Sequence, residues 1–276
     1  MSLAQALFLG FIQGITEFLP VSSSGHLVIF QNIFGLKEPN LFFDVALHFG
    51  TLLAVLIVLK KEVFSLLKGL LSFSVHIFKG RKNELVEQDK AMARLAGLII
   101  VGLVPTALLG FFFRSIIEVL FNSLLVVGCM LLITGIILWT TRMTGEGHKD
   151  TGNLSILDAI LIGFVQGLSI APGISRSGST IAFGLFRKVK KSAAVRFSFL
   201  LSIPAILGAM VLEWENPLLQ QGELLNVLAG TVVAAIAGYI CLKLLIRMVQ
   251  KGHLYYFSPY CWAVGSAAIL FSFILK

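Results

Sequence analysis

The sequence predicts an all-α integral membrane protein with an inverted-topology repeat: about six spanning helices plus two broken re-entrant helical segments. Three observations carry that expectation. Only 13% of the residues are charged and 57% are hydrophobic, whereas a soluble globular domain carries about 25% charged residues. The apolar residues fall in continuous runs of helix-spanning length, not in the weak ten-residue alternation of a transmembrane strand. Two further runs are broken in the middle by one polar pattern that recurs 153 positions later.

The first broken run covers 3–34 and contains QGITEFLPVSSSGH, from Gln13 to His26. The second covers 154–186 and contains QGLSIAPGISRSGS, from Gln166 to Ser179. Gly10, Phe11, Gln13, Gly14, Ser22, Ser24 and Gly25 match Gly163, Phe164, Gln166, Gly167, Ser175, Ser177 and Gly178, seven identities in 16 positions without a gap. This is an internal repeat. It divides a single polytopic domain, 1–276, into halves of approximately 1–140 and 154–276.

Six runs are long enough to cross a bilayer: 41–59, 91–113, 123–140, 193–212, 225–247 and 257–275. Pro105 and Pro204 fall inside two of them as candidate kinks. The run 62–78 carries Lys68, Ser72, Ser74 and His76, and fits either an interfacial helix or a shorter packed one. Cys129, Cys241 and Cys261 stand singly in apolar segments and read as small core residues. The N-terminus has neither the basic region nor the cleavage site of a signal peptide, so it is expected to belong to the mature fold.

The net charge of +8 would raise nucleic acid as a partner in a soluble protein. Here the basic residues cluster between apolar runs, which is the positive-inside bias of a membrane protein and excludes that class. Lys60, Lys61, Lys68, Lys79, Arg81, Lys82 and Lys90 place the loop 60–90 in the cytoplasm. Arg142 and Lys149, then Arg187 to Lys191, then Lys243, Arg247 and Lys251 fall on the same side. Glu213, Glu215 and Glu223 lie in a segment without Lys or Arg, outside. Both termini are then outside. Each half is a broken segment plus three crossings, so the second half is inverted and the two broken segments enter from opposite faces. Non-helical backbone at that depth must be buried in protein or line a cavity, and inverted repeats place their site there.

Arg176 is the sharpest chemical clue. An arginine in the centre of a membrane segment costs at least about 2.5–3.5 kcal/mol and needs a partner. Its planar fork suits phosphate or carboxylate. Gly173 and Gly178 allow close backbone approach, Ser175, Ser177, Ser179 and Thr180 add hydroxyls, and a helix starting near 178 adds N–H groups. The set resembles a phosphate cradle, the bland alternative being an arginine paired with Glu17 for structure alone. Gln13 and Glu17 share a helical face. Glu17 could orient His26, act as a base or hold a divalent cation. Ser22, Ser23, Ser24 and His26 form a hydroxyl and imidazole cluster of the kind that activates a nucleophile. Asp44 and His48 lie one turn apart and either line the cavity or satisfy each other. Asp158 reads as a helix N-terminal acid. His76, His148 and His253 carry no assignment.

With these residues in hand, the chain resembles the undecaprenyl-diphosphate phosphatase family, also called the bacitracin-resistance family. Gln13 and Glu17 with Phe18-Leu19-Pro20-Val21-Ser22-Ser23-Ser24-Gly25-His26 match its first motif, and Pro172 to Thr180 match its Pro-Gly-x-Ser-Arg-Ser-x-x-Thr motif without a break. Phe43-Asp44-Val45-Ala46-Leu47-His48 also looks like a family segment. The resemblance implies a phosphatase in the bacterial cytoplasmic membrane. It would remove the terminal phosphate of a C55 polyprenyl diphosphate and recycle the lipid carrier for cell-wall synthesis. The active site would open outward and depend on a divalent cation, Mg²⁺ or Ca²⁺, with Glu17 as its metal residue. Bacitracin would act through the same lipid.

The resemblance casts Ser23 as nucleophile. His26 would then take its proton, or be the nucleophile in a rival scheme. Ser22, Gly173, Ser175, Arg176, Ser177 and Thr180 would bind the diphosphate. Gln13, where many members have Glu, cannot be a base or a strong metal ligand. The alternative from another class is a lipid-phosphate flippase or secondary transporter with the same inverted-repeat anion site, which needs binding groups but no nucleophile.

Overall fold

The computed structural model describes residues 1–36, 41–79, 86–213 and 223–274. Arg81, Lys82 and Glu215, used above to assign sides, lie outside the described residues, as do the side chains of Glu213 and Glu223. The described chain is helical: α1 Leu3–Phe18, α2 Ser23–Ile33, α3 Leu41–Val58, α4 Lys60–Phe78, α5 Glu87–Phe112, α6 Arg114–Phe121, α7 Leu124–Thr140, α8 Ile156–Leu168, α9 Arg176–Phe186, α10 Lys191–Glu213, α11 Glu223–Gln250 and α12 Ser258–Ile274. The β-pairing among these residues is limited to an isolated parallel bridge between Lys149 and Val189.

Among the described residues five helices are long and apolar enough to cross a membrane: Glu87–Phe112, Leu124–Met143, Lys191–Val211, Leu224–Gln250 and Leu254–Ile274. A sixth passes only when α3 and α4 are counted together, and these bend by 81° at Leu59. The ambiguous run 62–78 is therefore a full helix that turns away from α3. The protein is a multi-pass membrane protein of the predicted class.

The broken runs form two helical hairpins, α1–α2 and α8–α9. Helices of 13 and 11 residues reach roughly 20 and 17 Å, short of a hydrocarbon core of about 30 Å. The ends of each hairpin come back together. Phe8 of α1 stacks edge-on against Phe30 and Phe34 of α2, with centroids 5.0 and 5.5 Å apart. At the base of the other hairpin, Asp158 of α8 takes Lys149 Nζ at 2.8 Å and Arg187 Nε at 2.7 Å. Each hairpin opens on a capping box, Ser2 with Gln5 and Ser155 with Asp158, which closes two orphan N–H groups reciprocally. Asp158 is thus the helix N-terminal acid expected, with two cations added.

Small residues let these short helices lie close to long ones. α1 packs along α11 and α8 along α5. A Cβ on Gly10 would strike the backbone of Gly230, and one on Gly163 the backbone of Gly102. Gly14 meets Ala237 and Gly167 meets Leu109 in the same fashion. The core gathers around the hairpin tips, with Phe18, Leu138, Phe197 and Leu200 all but sealed from solvent. Cys241 and Cys261 are buried as expected, but Cys129 is exposed on α7. Its apolar surroundings in the sequence report the outward face of a membrane helix as well as a core would.

Candidate active site

The tips of the two hairpins cross, and the site is built at the crossing. α2 and α9 start in parallel ways. Ser22 caps α2, its Oγ accepting from Gly25 N at 3.3 Å, and Ser175 caps α9, its Oγ accepting from Gly178 N at 3.1 Å. Each cap oxygen has a second serine beside it: Ser24 Oγ at 3.4 Å and Ser177 Oγ at 3.3 Å. α9 therefore begins at Arg176, two residues earlier than the sequence led us to expect, because the cap is Ser175 and Gly178 lies inside the helix. Gly178 is needed for approach, since a Cβ there would press on Pro20 of the other hairpin, just as one on Gly25 would press on Gly173.

The two tips are also stitched by hydrogen bonds. Gly173 N donates to Ser22 Oγ at 3.0 Å and Ser177 Oγ donates to Phe18 O at 3.0 Å. Gly173 adopts φ +99, which its lack of a side chain permits. Thr134 of α7, fully buried, donates to Gly173 O at 2.8 Å and accepts from Ser175 N at 3.1 Å. Thr180 Oγ1 donates to Arg176 O at 2.7 Å and also meets Ser198 Oγ. Most hydroxyls expected to face a phosphate are thus engaged within the protein, Ser22 and Ser177 across the two tips, Ser175 in capping α9 and Thr180 on α9 and α10. Thr134 and Ser198 were not singled out from sequence, where each is a small polar residue in an apolar span.

Glu17 is the centre of the charged cluster. Its side chain is 3% exposed. Arg176 Nη2 reaches Glu17 Oε1 from the opposite hairpin, and Ser23 Oγ donates to Glu17 Oε2 at 2.6 Å. Gln13 Nε2 donates to the same oxygen at 2.9 Å, one turn back on α1. His48 Nε2 stands 3.5 Å from it. So Gln13, Glu17, Ser23, His48 and Arg176 converge. Ser23 and Arg176, the first residues of α2 and α9, hold matching places in the two motifs.

One expectation needs correction, and one open choice is decided. His26 touches neither Ser23 nor Glu17 through a hydrogen bond: its Nδ1 is 2.8 Å from Ser22 O and its Nε2 is 2.8 Å from Tyr260 OH. The imidazole beside Glu17 is that of His48. The reason is local, since the first turn of α2 folds the His26 ring back onto the carbonyl four residues earlier. Asp44 and His48 do not satisfy each other by their side chains. His48 Nδ1 bonds the main-chain oxygen of Asp44 at 2.8 Å, and the Asp44 carboxylate accepts from Gln31 Nε2 at 2.8 Å. Tyr260 and Gln31 were missed, and no spacing in the sequence marks either.

A divalent cation was expected at Glu17. Among the described residues no group of three His, Cys, Asp or Glu side chains could hold a metal ion. Glu17 is one carboxylate beside an arginine, and the one orphaned oxygen near it is the buried Gln13 Oε1. Mg²⁺ and Ca²⁺ need six or more oxygens. Mg²⁺ usually takes most of them from waters and substrate phosphates, with one or two carboxylates from the protein.

A family described as bacitracin resistance protein BacA matches residues 6–267. A protein named undecaprenyl-diphosphatase from Desulforapulum autotrophicum is 44% identical over 275 residues, covering 99% of this chain and 100% of that one. One of the same name from Desulfosudis oleivorans is 48% identical over 96% of this chain and 97% of its own. Another, from Methanosphaera stadtmanae, is 38% identical over the full length of both.

Proposed function

Because the chain belongs to the bacitracin resistance protein BacA family, we propose that it is an undecaprenyl-diphosphatase, a membrane enzyme that hydrolyses the C55 diphosphate to the monophosphate and inorganic phosphate. The observation that carries the mechanism is the Ser23–Glu17–Arg176 contact across the two hairpin tips.

The polyprenyl tail stays in lipid and the diphosphate enters at the tips. Arg176 has five donors in a fixed fork, so it can keep Glu17 and still face a phosphate. It stabilises the charge that spreads over the transferring phosphoryl group, which is most of what such a transfer requires. Ser23 Oγ attacks the terminal phosphorus and gives its proton to Glu17 Oε2. The new O–P bond forms as the bond to the bridging oxygen breaks, and undecaprenyl phosphate leaves with that electron pair. Water then attacks the phosphoserine, with Glu17 relaying a proton back to Ser23 Oγ, and inorganic phosphate departs. Ser22, Gly173 and Ser177 act in this scheme chiefly by joining the two tips, and Ser175 and Thr180 by fixing the first turns of α9. Glu17 would be the one carboxylate to hold a divalent cation, which would supply charge neutralisation at the diphosphate.

The name shared by the relatives favours hydrolysis over the flippase or transporter alternative. Sidedness follows the basic end of the molecule, where Arg94 bonds Gly152 O and Leu154 O and Lys190 pairs with Asp150. Taken as cytoplasmic, that end puts the α1–α2 hairpin, both termini and the mouth of the site at the outer face of the bacterial inner membrane. The matched Gly10–Gly230 and Gly163–Gly102 approaches support reading the fold as two inverted halves. The lipid carrier so recycled serves cell-wall synthesis, and bacitracin meets the protein only through that lipid.

The test is phosphate release from a polyprenyl diphosphate by purified protein in detergent, with and without Mg²⁺ or Ca²⁺, beside Arg176→Ala. Cation-dependent release that the variant abolishes is expected. A folded, substrate-binding protein that releases none would overturn the reading in favour of transport.

A further inference from the structure

We infer that Tyr260 is a positioning residue: through His26 it holds Ser22 in place, and so fixes where Ser23 Oγ stands. The inference rests on the phosphatase reading above.

His26 is buried, 3% exposed. Its Nδ1 lies 2.8 Å from Ser22 O. A carbonyl oxygen only accepts, so Nδ1 carries the proton. In the neutral ring the lone pair is then on Nε2, 2.8 Å from Tyr260 OH, and the phenol must donate. Tyr260 sits in the first turn of α12, 234 positions away in sequence. The two rings are parallel to within 5° at a centroid separation of 5.7 Å. The Ser22 carbonyl therefore selects the tautomer, and the tyrosine, donating to the lone pair left on Nε2, fixes the orientation of the imidazole.

Ser22 needs such support. It has φ +68, one of two non-glycine residues among those described in the left-handed region. A residue there persists only when its surroundings over-determine it. Its carbonyl is held by the His26 ring and by His26 N at 3.2 Å, and its hydroxyl by Gly25 N and Gly173 N. Ser23 is the next residue, and its 2.6 Å bond to Glu17 is the contact from which the reaction starts. Both ring nitrogens of His26 are committed in this chain of contacts, so Ser23 hands its proton to Glu17 and not to His26.

Tyr260→Phe keeps the ring and removes the donor. Two readouts are combined: kcat and KM for the polyprenyl diphosphate, and ¹⁵N-histidine NMR of the detergent-solubilised protein, with His26→Asn to assign the His26 signals. The wild type is expected to show His26 with Nδ1 protonated and Nε2 accepting. In Tyr260→Phe the Nε2 signal should move towards that of an unbonded imine nitrogen, with kcat falling about 10- to 100-fold and KM within about threefold. Unchanged ¹⁵N signals would overturn the inference, whatever the rate does. So would a shifted Nε2 signal with unchanged kcat, since Ser23 would then not depend on it. If the folded wild type releases no phosphate, the phosphatase reading fails, while the NMR comparison still decides whether Tyr260 holds the His26 ring.

Discussion

Arg176 on α9 reaches Glu17 on α1 across 159 positions of chain, and the pair closes the crossing between the hairpin tips. Among the described residues the one other ionisable side chain paired with either is His48, at 3.5 Å from the carboxylate. The contact is at once the local charge balance and the seat of the proposed chemistry.

Arg176→Gln and Glu17→Gln should each lower the thermal midpoint in detergent. Breaking a fully buried pair costs about 3–5 kcal/mol. The cost here is smaller, because 23% of the Arg176 side chain remains exposed. The double variant should recover part of the midpoint and none of the turnover. A double variant no more stable than either single one would deny the pair its structural share.

Ser23→Ala removes one donor from Glu17 Oε2 and leaves Gln13 in place. Phosphate release should fall by about three orders of magnitude or more, with the midpoint almost unmoved. Ser22→Ala should do the reverse in emphasis. It strips the α2 cap and the bond from Gly173 N, at about 1–2 kcal/mol for a lost cap of this kind. Near-normal turnover in Ser23→Ala would dispose of the serine mechanism.

Gly163→Ala drives a methyl group into the backbone of Gly102, so the α8–α5 contact must open. Poor folding and a large drop in midpoint are expected. Gly97→Ala on α5 meets nothing within 4 Å and should be neutral, or gain up to about 1 kcal/mol from helix propensity. Equal midpoints for the two variants would refute the close approach.

Asp158→Asn breaks the clamp to Lys149 and Arg187 at the base of the second hairpin. The midpoint should fall while kcat/KM of the folded fraction stays within about twofold, because the clamp lies at the opposite end of α8 from the site. A selective loss of kcat would make Asp158 part of the active machinery.

Much of this was legible in the sequence for physical reasons. Continuous hydropathy marks a helix that must satisfy its backbone in lipid, and Gly10, Gly14, Gly163 and Gly167 mark where one helix lies on another. The start of α9 was placed two residues late because Gly178 reads as a turn when taken alone, and its serine cap was not read. The 81° bend between α3 and α4 was not legible, since Leu59 is as apolar as its neighbours. Nor were the partners of the two site histidines. A contact such as His26 with Tyr260 joins residues 234 apart and leaves no periodic trace. Residue types announce what chemistry is available, but only the tertiary path of the chain decides which imidazole stands beside which carboxylate.

The pairing of Glu17 with Arg176 also sets an order of events at the ribosome. At about 5–20 residues per second, Glu17 emerges roughly 8–30 s before Arg176. During that interval the first hairpin has neither its cation nor the Gly173 amide that steadies Ser22. The nascent N-terminal half must therefore wait with its acid solvated or protonated, and the catalytic crossing can lock only after the second hairpin has entered the bilayer.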